Sequence, residues 1–305
     1  MPEIQRTSFG TGKTFIEIEN HENLSVEDLA ELEGIAGEAD VKTLVMNSPR
    51  PKCVGGEDDI LIVLRGINFI PGSEPDDMVS VRLWLDKDTI IASQRRSVAS
   101  IDTAQSRLGK INSTPDFLWT VIEEMQQRIE THIGELDEQV DSAEDLALSD
   151  PNKKRRLEIL EFRRSVIALR RYLLPQRETL MTLSRLKTDI FNDEQQQGFL
   201  DQYYRAARIC DALDALRERL GLIQEEITAV ISDRMNQNMY VLSIISLVFL
   251  PLGFLTGLFG INVGGMPMVA DGGGALAPLG FIIVVGLCVI CAIGILVVMR
   301  IKKWI

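Results

Sequence analysis

The sequence is poor in the residue types that build disulfide frameworks, structural metal cages and nucleic-acid surfaces. Its 305 residues include only four cysteines and two histidines. Four dispersed cysteines do not form a disulfide framework, which fits a reducing compartment. His21 and His132 lie far apart, so a preformed zinc cage of histidine and cysteine is hard to build. A formal net charge of -12 argues against the basic face of a nucleic-acid binder, and we expect no such partner.

Signals for secretion, nucleotide binding and catalysis are also missing. The N-terminal stretch "MPEIQRTSFG" has no apolar core, so we expect no cleaved signal peptide. "GTGKT" at Gly10–Thr14 matches only part of a phosphate loop, because Thr7 stands where the first glycine is required and a strand-like run follows. No nucleophile–base pair or paired carboxylate stands out. We therefore expect neither an enzyme nor a resident cofactor.

Charge is absent from two long apolar runs near the C-terminus. Residues 239–259 and 279–299 are each 21 residues long and carry no charged side chain. At ~1.5 Å per residue, each helix would be about 31 Å long, which is the thickness of a hydrocarbon core. Both runs are predicted to be transmembrane helices.

The distribution of lysine and arginine predicts the orientation of these spans. Arg234 precedes the first span, and the basic tail 300–305, with Lys302 and Lys303, follows the second. The loop 260–278 has no lysine or arginine. The positive-inside rule therefore predicts that both chain ends are cytoplasmic and that the loop lies outside.

Residues 1–113 are predicted to form a cytoplasmic mixed α/β domain. Five short runs have the apolar or alternating pattern of strands, and Asp86–Asp88 is predicted to be a hairpin turn between the last two. Ser25 followed by Asp28 indicates the start of a helix with nearly a capping box. The strand-like runs are "KTFIEIEN", "KTLVMN", "DDILIVLRGINF", "MVSVRLWL" and "DTIIASQRR".

From residue 114 the apolar spacing becomes helical. Residues 114–192 form a predicted cytoplasmic helical region, with helix starts at Thr114-Pro115 and Asp150-Pro151. A third run, 193–259, has no strong breaker before the membrane and predicts one stalk helix about 100 Å long that continues into the first span. A helix of that length requires bundling with neighbouring helices or with copies of itself.

One stripe of this helix is small, apolar or weakly polar and contains no carboxylate. It allows two interpretations, a packing face against the second span or a pore wall made by several copies. The triplet "GIN" at residues 260–262 favours the pore, because exposed carbonyls and an amide can bind the hydration water of a divalent ion without stripping it. The candidate pore-lining residues are Asn236, Met239, Leu242, Ser246, Leu250, Gly253 and Gly257.

"VFLPLGFLTGLFGIN" resembles the CorA-type superfamily of divalent-cation transporters. The family signature is a Gly-x-Asn triplet that closes the first of two C-terminal spans, and here it is Gly260, Ile261 and Asn262, with Pro251 upstream. The resemblance implies a homopentamer in the bacterial inner membrane, with a cytoplasmic α/β funnel and the first span around the pore. It places Asn262 at the outer mouth and Lys302 with Lys303 in a basic cytoplasmic ring.

Features of the outer loop favour the ZntB branch, which is associated with zinc. The magnesium branch usually has methionine where this chain has Ile261, and an acidic residue where Met268 follows "MP". The branch implies proton-coupled uptake of zinc, with other transition metals such as cadmium, nickel or cobalt as further cargo. The first span, however, offers no carboxylate or histidine for a proton relay. A magnesium/cobalt channel and a non-transporting membrane scaffold are the alternatives.

Overall fold

The structure is a computed structural model that describes residues 3–19, 24–47, 50–67, 78–95, 98–150, 152–260 and 277–301. The chain divides into two compact units, residues 1–227 and residues 228–305. The sequence analysis instead divided the chain by type of secondary structure, into residues 1–113, 114–192 and 193–259. That division stays a prediction. Each compact unit is described by itself.

The first unit contains a six-stranded sheet of order β1-β2-β6-β5-β4-β3. Neighbouring strands are antiparallel except β2 and β6, which are parallel. Asp86 Oδ1 accepts hydrogen bonds from the backbone of Asp88 at 2.7 Å and Thr89 at 2.6 Å, which forms the predicted hairpin turn. The strands are β1 (Glu3–Phe9), β2 (Lys13–Glu19), β3 (Lys52–Gly55), β4 (Ile60–Gly66), β5 (Val79–Leu85) and β6 (Thr89–Gln94).

The edge strands of the sheet, β1 and β3, were not predicted from the sequence. β1 reads "EIQRTSF" and pairs only with β2, so most of its side chains are exposed and give no apolar signal. β3 has four residues, two of them exposed. "GTGKT" spans the β1–β2 turn, where Gly10 and Gly12 have φ of 53° and 83°. Strand β2 follows it, whereas a phosphate loop requires a helix at this point.

Helices cover the two faces of the sheet. α1 (Val26–Ala36) starts at a full capping box of Ser25 and Asp28, and α2 (Glu38–Leu44) follows. "KTLVMN" is therefore not a strand; the last turn of α2 occupies it, because Val41 and Leu44 are three residues apart and both buried. The helices pack with one face of the sheet in a cluster that includes Ile16, Ile18, Leu32, Val41, Leu44, Leu61, Trp84 and Ile91.

The opposite face receives the long helices. Phe15 is next to Ile16 in β2, so its side chain lies on the other face of the sheet. There it contacts Phe117 of α4, with ring centroids 5.0 Å apart. α3 (Ala99–Ser106) leads into α4 (Thr114–Ser149) and α5 (Lys153–Ser184). The predicted start at Asp150-Pro151 is wrong by two residues. Asn152 is the N-cap, because its Oδ1 accepts from the backbone N–H of Lys154 at 3.0 Å and Arg155 at 3.1 Å.

α6 (Asp193–Gly260) is one helix of 68 residues, as the sequence predicted. Up to Ile227 it packs with α4 and α5 through buried residues spaced three and four apart. Helical spacing in the sequence predicts one apolar side for each of α4 and α5. Leu157 was predicted on that side of α5, but it is 51% exposed. The six positions predicted for α4 are all buried: Leu118, Ile122, Met125, Ile129, Ile133 and Leu136. The buried positions of α6 include Phe199, Ala206, Cys210, Leu213, Leu216, Leu220, Ile223 and Ile227.

The second unit contains the last part of α6 and α7 (Ala277–Ile301). The most apolar 18-residue window has a mean hydropathy of 2.3 in α6 and 3.3 in α7. The buried share of these windows is 0% in α6 and 6% in α7. A core helix of a soluble protein would be mostly buried, so both helices have the properties of membrane spans. Ile261, Asn262, Lys302 and Lys303 lie outside the described residues.

Candidate functional site

The predicted pore stripe lies entirely on exposed surface of α6. All seven of its residues are exposed in the single chain. The three largest, Met239, Leu242 and Leu250, are 63%, 64% and 75% exposed. Apolar side chains this exposed require lipid or a further protein surface around them. Their role in a pore stays a prediction.

The half-buried residues of the same segment are Ile244, Val248, Pro251, Leu252 and Leu255. At about 100° per residue, these five positions form a second stripe on the side of the helix opposite the first. The pore stripe is therefore not the face that α6 buries within its own unit. This geometry disfavours the interpretation of the stripe as a packing face against the second span.

α7 carries a matching half-buried stripe. Val284, Cys288, Cys291 and Ile295 are half-buried and spaced three or four apart, and Met299 at the end is buried. The two cysteines thus occupy packing positions, as expected for small residues in a membrane helix. Each helix of the second unit therefore has one half-buried stripe, and the pore stripe of α6 is not part of it.

Among the described residues, nothing packs against the glycines of the stripe. A Cβ added at Gly253 or Gly257 would meet none of their atoms within 4 Å, other than the helix's own backbone. Glycine in a helix costs about 1 kcal/mol relative to alanine, so its use here needs another reason. Two glycines four residues apart allow the backbones of neighbouring helices to approach closely.

Polar groups in this segment belong mainly to the backbone. Thr256 Oγ1 donates to the carbonyl of Leu252 at 2.9 Å, and Ser243 Oγ donates to that of Met239 at 2.8 Å. Pro251 has no N–H, so the carbonyl of Leu247, four residues earlier, lacks its usual helical partner. Such a carbonyl is tolerated in a membrane only beside protein or water.

The electrostatics of the site fit passage of an ion better than its capture. No charged residue occurs between Met235 and Gly260. Among the residues that the structure describes, no group of three or more His, Cys, Asp or Glu side chains could hold a metal ion. The stripe therefore presents apolar and weakly polar groups and no charged ligand for a metal ion.

Ion pairs that were not predicted from the sequence connect α6 to α4. Arg205 of α6 contacts Glu130 of α4 at 2.6 Å. Arg219 binds Glu144, with Nε 2.8 Å from Oε2, and it also contacts two neighbouring aspartates of α4. These hydrogen bonds, chiefly the one to Glu144, raise the pKa of Arg219. The acidic run of α4 could have indicated a basic partner, but not which arginine.

The chain thus combines a mixed α/β unit with a helix of 68 residues whose end is the first of two candidate membrane spans, which is the architecture of a two-span membrane protein. The CorA-like Mg2+ transporter family matches residues 11–303, so the chain belongs to that family. This is a family of transporters and not a class of enzymes.

Individual relatives agree with the family assignment. The chain is 35% identical over 243 residues to the divalent cation transporter CmaX of Pseudomonas aeruginosa, covering 78% of this chain and 71% of the relative. It is 33% identical over 264 residues to the zinc transport protein ZntB of Pectobacterium carotovorum, covering 86% and 79%. The full-length CmaX structure superimposes with a TM-score of 0.77 at 30% identity, covering 96% of this chain and 89% of CmaX. The CorA magnesium transporter of Methanocaldococcus jannaschii, at 20% identity and TM-score 0.79, covers 98% and 94% and shows the same fold.

Proposed function

We propose that five copies of this chain enclose a pore through which a hydrated divalent cation, Zn2+, crosses the bacterial inner membrane. The observation that carries the proposal is the uncharged stripe of α6, which is exposed in the single chain and lies opposite the half-buried stripe. A ring of copies would bring these stripes together around one axis. Membership of a divalent-cation transporter family supports this assembly.

The pore would be narrowest at three apolar positions. Met239, Leu242 and Leu250 stand on one stripe and would form rings of large apolar side chains. Such constrictions close by dewetting, so a small rotation of α6 would open or shut the path. Asn262 at the outer mouth would hold the hydration shell of the entering ion, and the acidic N-terminal unit would attract cations on the cytoplasmic side.

The orientation follows from the basic residues. Lys302 and Lys303 would form a basic ring in the cytoplasm, together with both chain ends, and the loop 260–278 would face outward. This arrangement accounts for the absence of lysine and arginine in that loop.

Zinc is favoured as the cargo because several relatives at 32–33% identity are zinc transport proteins. "GINVGGMP" also has the features of that branch. The second candidate is a magnesium channel, because magnesium is the ion in the family description. An amide ring selects weakly between hydrated ions, so the cargo has to be measured.

The test is metal flux into liposomes that contain the purified chain and a metal-sensitive dye. We expect zinc entry that excess magnesium inhibits weakly and that an inward proton gradient accelerates. Asn262→Ala should abolish the flux without disrupting assembly.

Asn236→Ala and Gln237→Ala form a matched pair for the same assay, because both amides are exposed on α6, but at about 100° per residue Gln237 lies on the side opposite the stripe. Zinc entry should fall for Asn236→Ala and stay unchanged for Gln237→Ala. Magnesium flux that zinc does not inhibit would favour the channel alternative, and absence of all metal flux from an intact assembly would favour a scaffold.

A further inference from the structure

The hairpin of α4 and α5 has one strongly acidic and one strongly basic half. Residues 129–152 contain eight aspartate or glutamate residues and no lysine or arginine. Residues 153–171, which follow directly, contain eight lysine or arginine residues and two glutamates. A separation this sharp on two successive helices is larger than solubility requires.

Part of each charge set is neutralised by α6 within the chain. On the acidic side, Arg219 binds the carboxylates of Asp137, Asp141 and Glu144. On the basic side, Arg170 binds Asp214, and Arg163 donates to Gln224 at 2.7 Å. These contacts involve the sides of α4 and α5 that face α6.

An acidic face remains on α4. Glu135, Glu138 and Asp145 are exposed, whereas Leu136 and Val140 between them are buried. In the part of the chain that the structure describes, Glu138 and Asp145 form no ion pair, and Glu135 has only a 4.0 Å contact to a histidine. The acidic face therefore points away from the core with its charge unneutralised.

A basic face remains on α5. Two of its arginines directly follow Arg163 and Arg170, which bind α6. Arg156, Arg164 and Arg171 are spaced by eight and seven residues and are exposed. Leu157 and Ile167, on the same side of the helix, are 51% and 48% exposed. Exposed aliphatic side chains between exposed arginines are typical of a protein–protein interface and not of a purely solvated surface.

We propose that the basic face of α5 docks against the acidic face of α4 in an adjacent copy of this chain. The two faces are complementary in charge, and each points away from the core of its own unit. A contact between two different faces of identical chains is heterologous, and such contacts form a ring where the rotation between copies closes. This inference rests on the proposed ring assembly and adds the surface that would hold neighbouring N-terminal units together. Docking would bury Leu157 and Ile167 and neutralise the residual charge of both helices.

The test uses the full chain in detergent, with Arg164→Lys as the reporter. A carbodiimide joins a lysine to a carboxylate only where the two are in contact. Chains produced separately with light and heavy isotopes are mixed, dissociated and reassembled in detergent, so that links between copies can be recognised by mass. Arg217→Lys, an exposed position on α6, is the matched control.

We expect the new lysine at position 164 to link to Glu135, Glu138 or Asp145, with about half of the links joining a light chain to a heavy chain, as mixing of equal pools requires. Neutralisation by Arg156→Gln with Arg171→Gln, which leaves position 164 and the three carboxylates in place, should lower the yield of links roughly fivefold, by the strength of exposed ion pairs. Salt should lower the yield in the same way.

Two results would overturn the inference. Links confined to single chains would show that the faces meet within one copy. Protection of the position 164 side chain only when anionic lipid is added would assign the face to a membrane surface. Native mass spectrometry separates this failure from failure of the pore: a pentamer without α4–α5 links contradicts only the docking face, and a monomer contradicts the ring itself.

Discussion

Gly253 tests the pore stripe because no described residue of the single chain requires a glycine there. In the part of the chain that the structure describes, a Cβ added at Gly253 or at Gly294 of α7 would meet no atom within 4 Å, again leaving out the helix's own backbone. Both Gly→Ala changes should therefore preserve the fold and stabilise the helix by up to about 1 kcal/mol. Gly253→Leu should nevertheless reduce zinc flux at least tenfold, which corresponds to about 1.4 kcal/mol in the barrier, because the ring would place a leucine from every copy in the passage.

The assay is metal entry into liposomes at equal protein density, with assembly checked by native mass spectrometry. Gly294→Leu is the control, since α7 lies outside the proposed pore. Full flux for an assembled Gly253→Leu variant would refute the stripe as a pore wall. An equal loss of flux for Gly294→Leu would attribute the effect to general disturbance of the membrane helices.

Three further predictions concern the N-terminal unit. Arg219→Ala should lower the free energy of unfolding by about 1 kcal/mol, less in high salt because the side chain is partly exposed, whereas Arg217→Ala should change it little in the same denaturant titration. Burial, followed by repulsion from Glu19, raises the pKa of Glu17 above 4.5, so its contribution to stability is complete below pH 4.5 and is lost as the pH rises through the higher folded value. Glu17→Gln should therefore unfold at a higher temperature at pH 8 and remove this part of the pH dependence; an unchanged pH profile would contradict it. Burial raises the pKa of Cys210 to about 11, so its thiol should resist maleimide at pH 8 in the folded protein and react in denaturant, as peptide mass spectrometry would show.

The parts of the fold that the sequence predicts are those with a long periodic signal. α6 has buried residues three and four apart over many turns, followed by an uncharged run, so its full length could be read from the pattern. The start of α4 was equally clear, because Thr114-Pro115 introduces a change of period. Short or one-sided elements gave no such signal. The end of α2 was predicted to belong to a strand, because "KTLVMN" at residues 42–47 contains only a short apolar run.

The candidate site could be predicted as a set of positions but not as a surface. Spacing alone grouped Met239, Leu242 and Leu250, yet it could not distinguish a packing face from a free one. That distinction needed the burial of Val248 and Leu255 on the opposite side, which depends on packing within the unit. The partners of Arg219 could not be predicted either, because 75 residues separate it from Glu144 and only the packing of α4 on α6 brings them together.

The central claim is that the exposed stripe of α6 surrounds the ion path. Its most direct test is block of zinc flux by a charged thiol reagent, with Cys288 and Cys291 replaced by serine. Ser246→Cys on the stripe should be modified and lose most of its flux, whereas Val248→Cys on the half-buried side should keep it. Block at position 248 with free passage at position 246 would contradict the account.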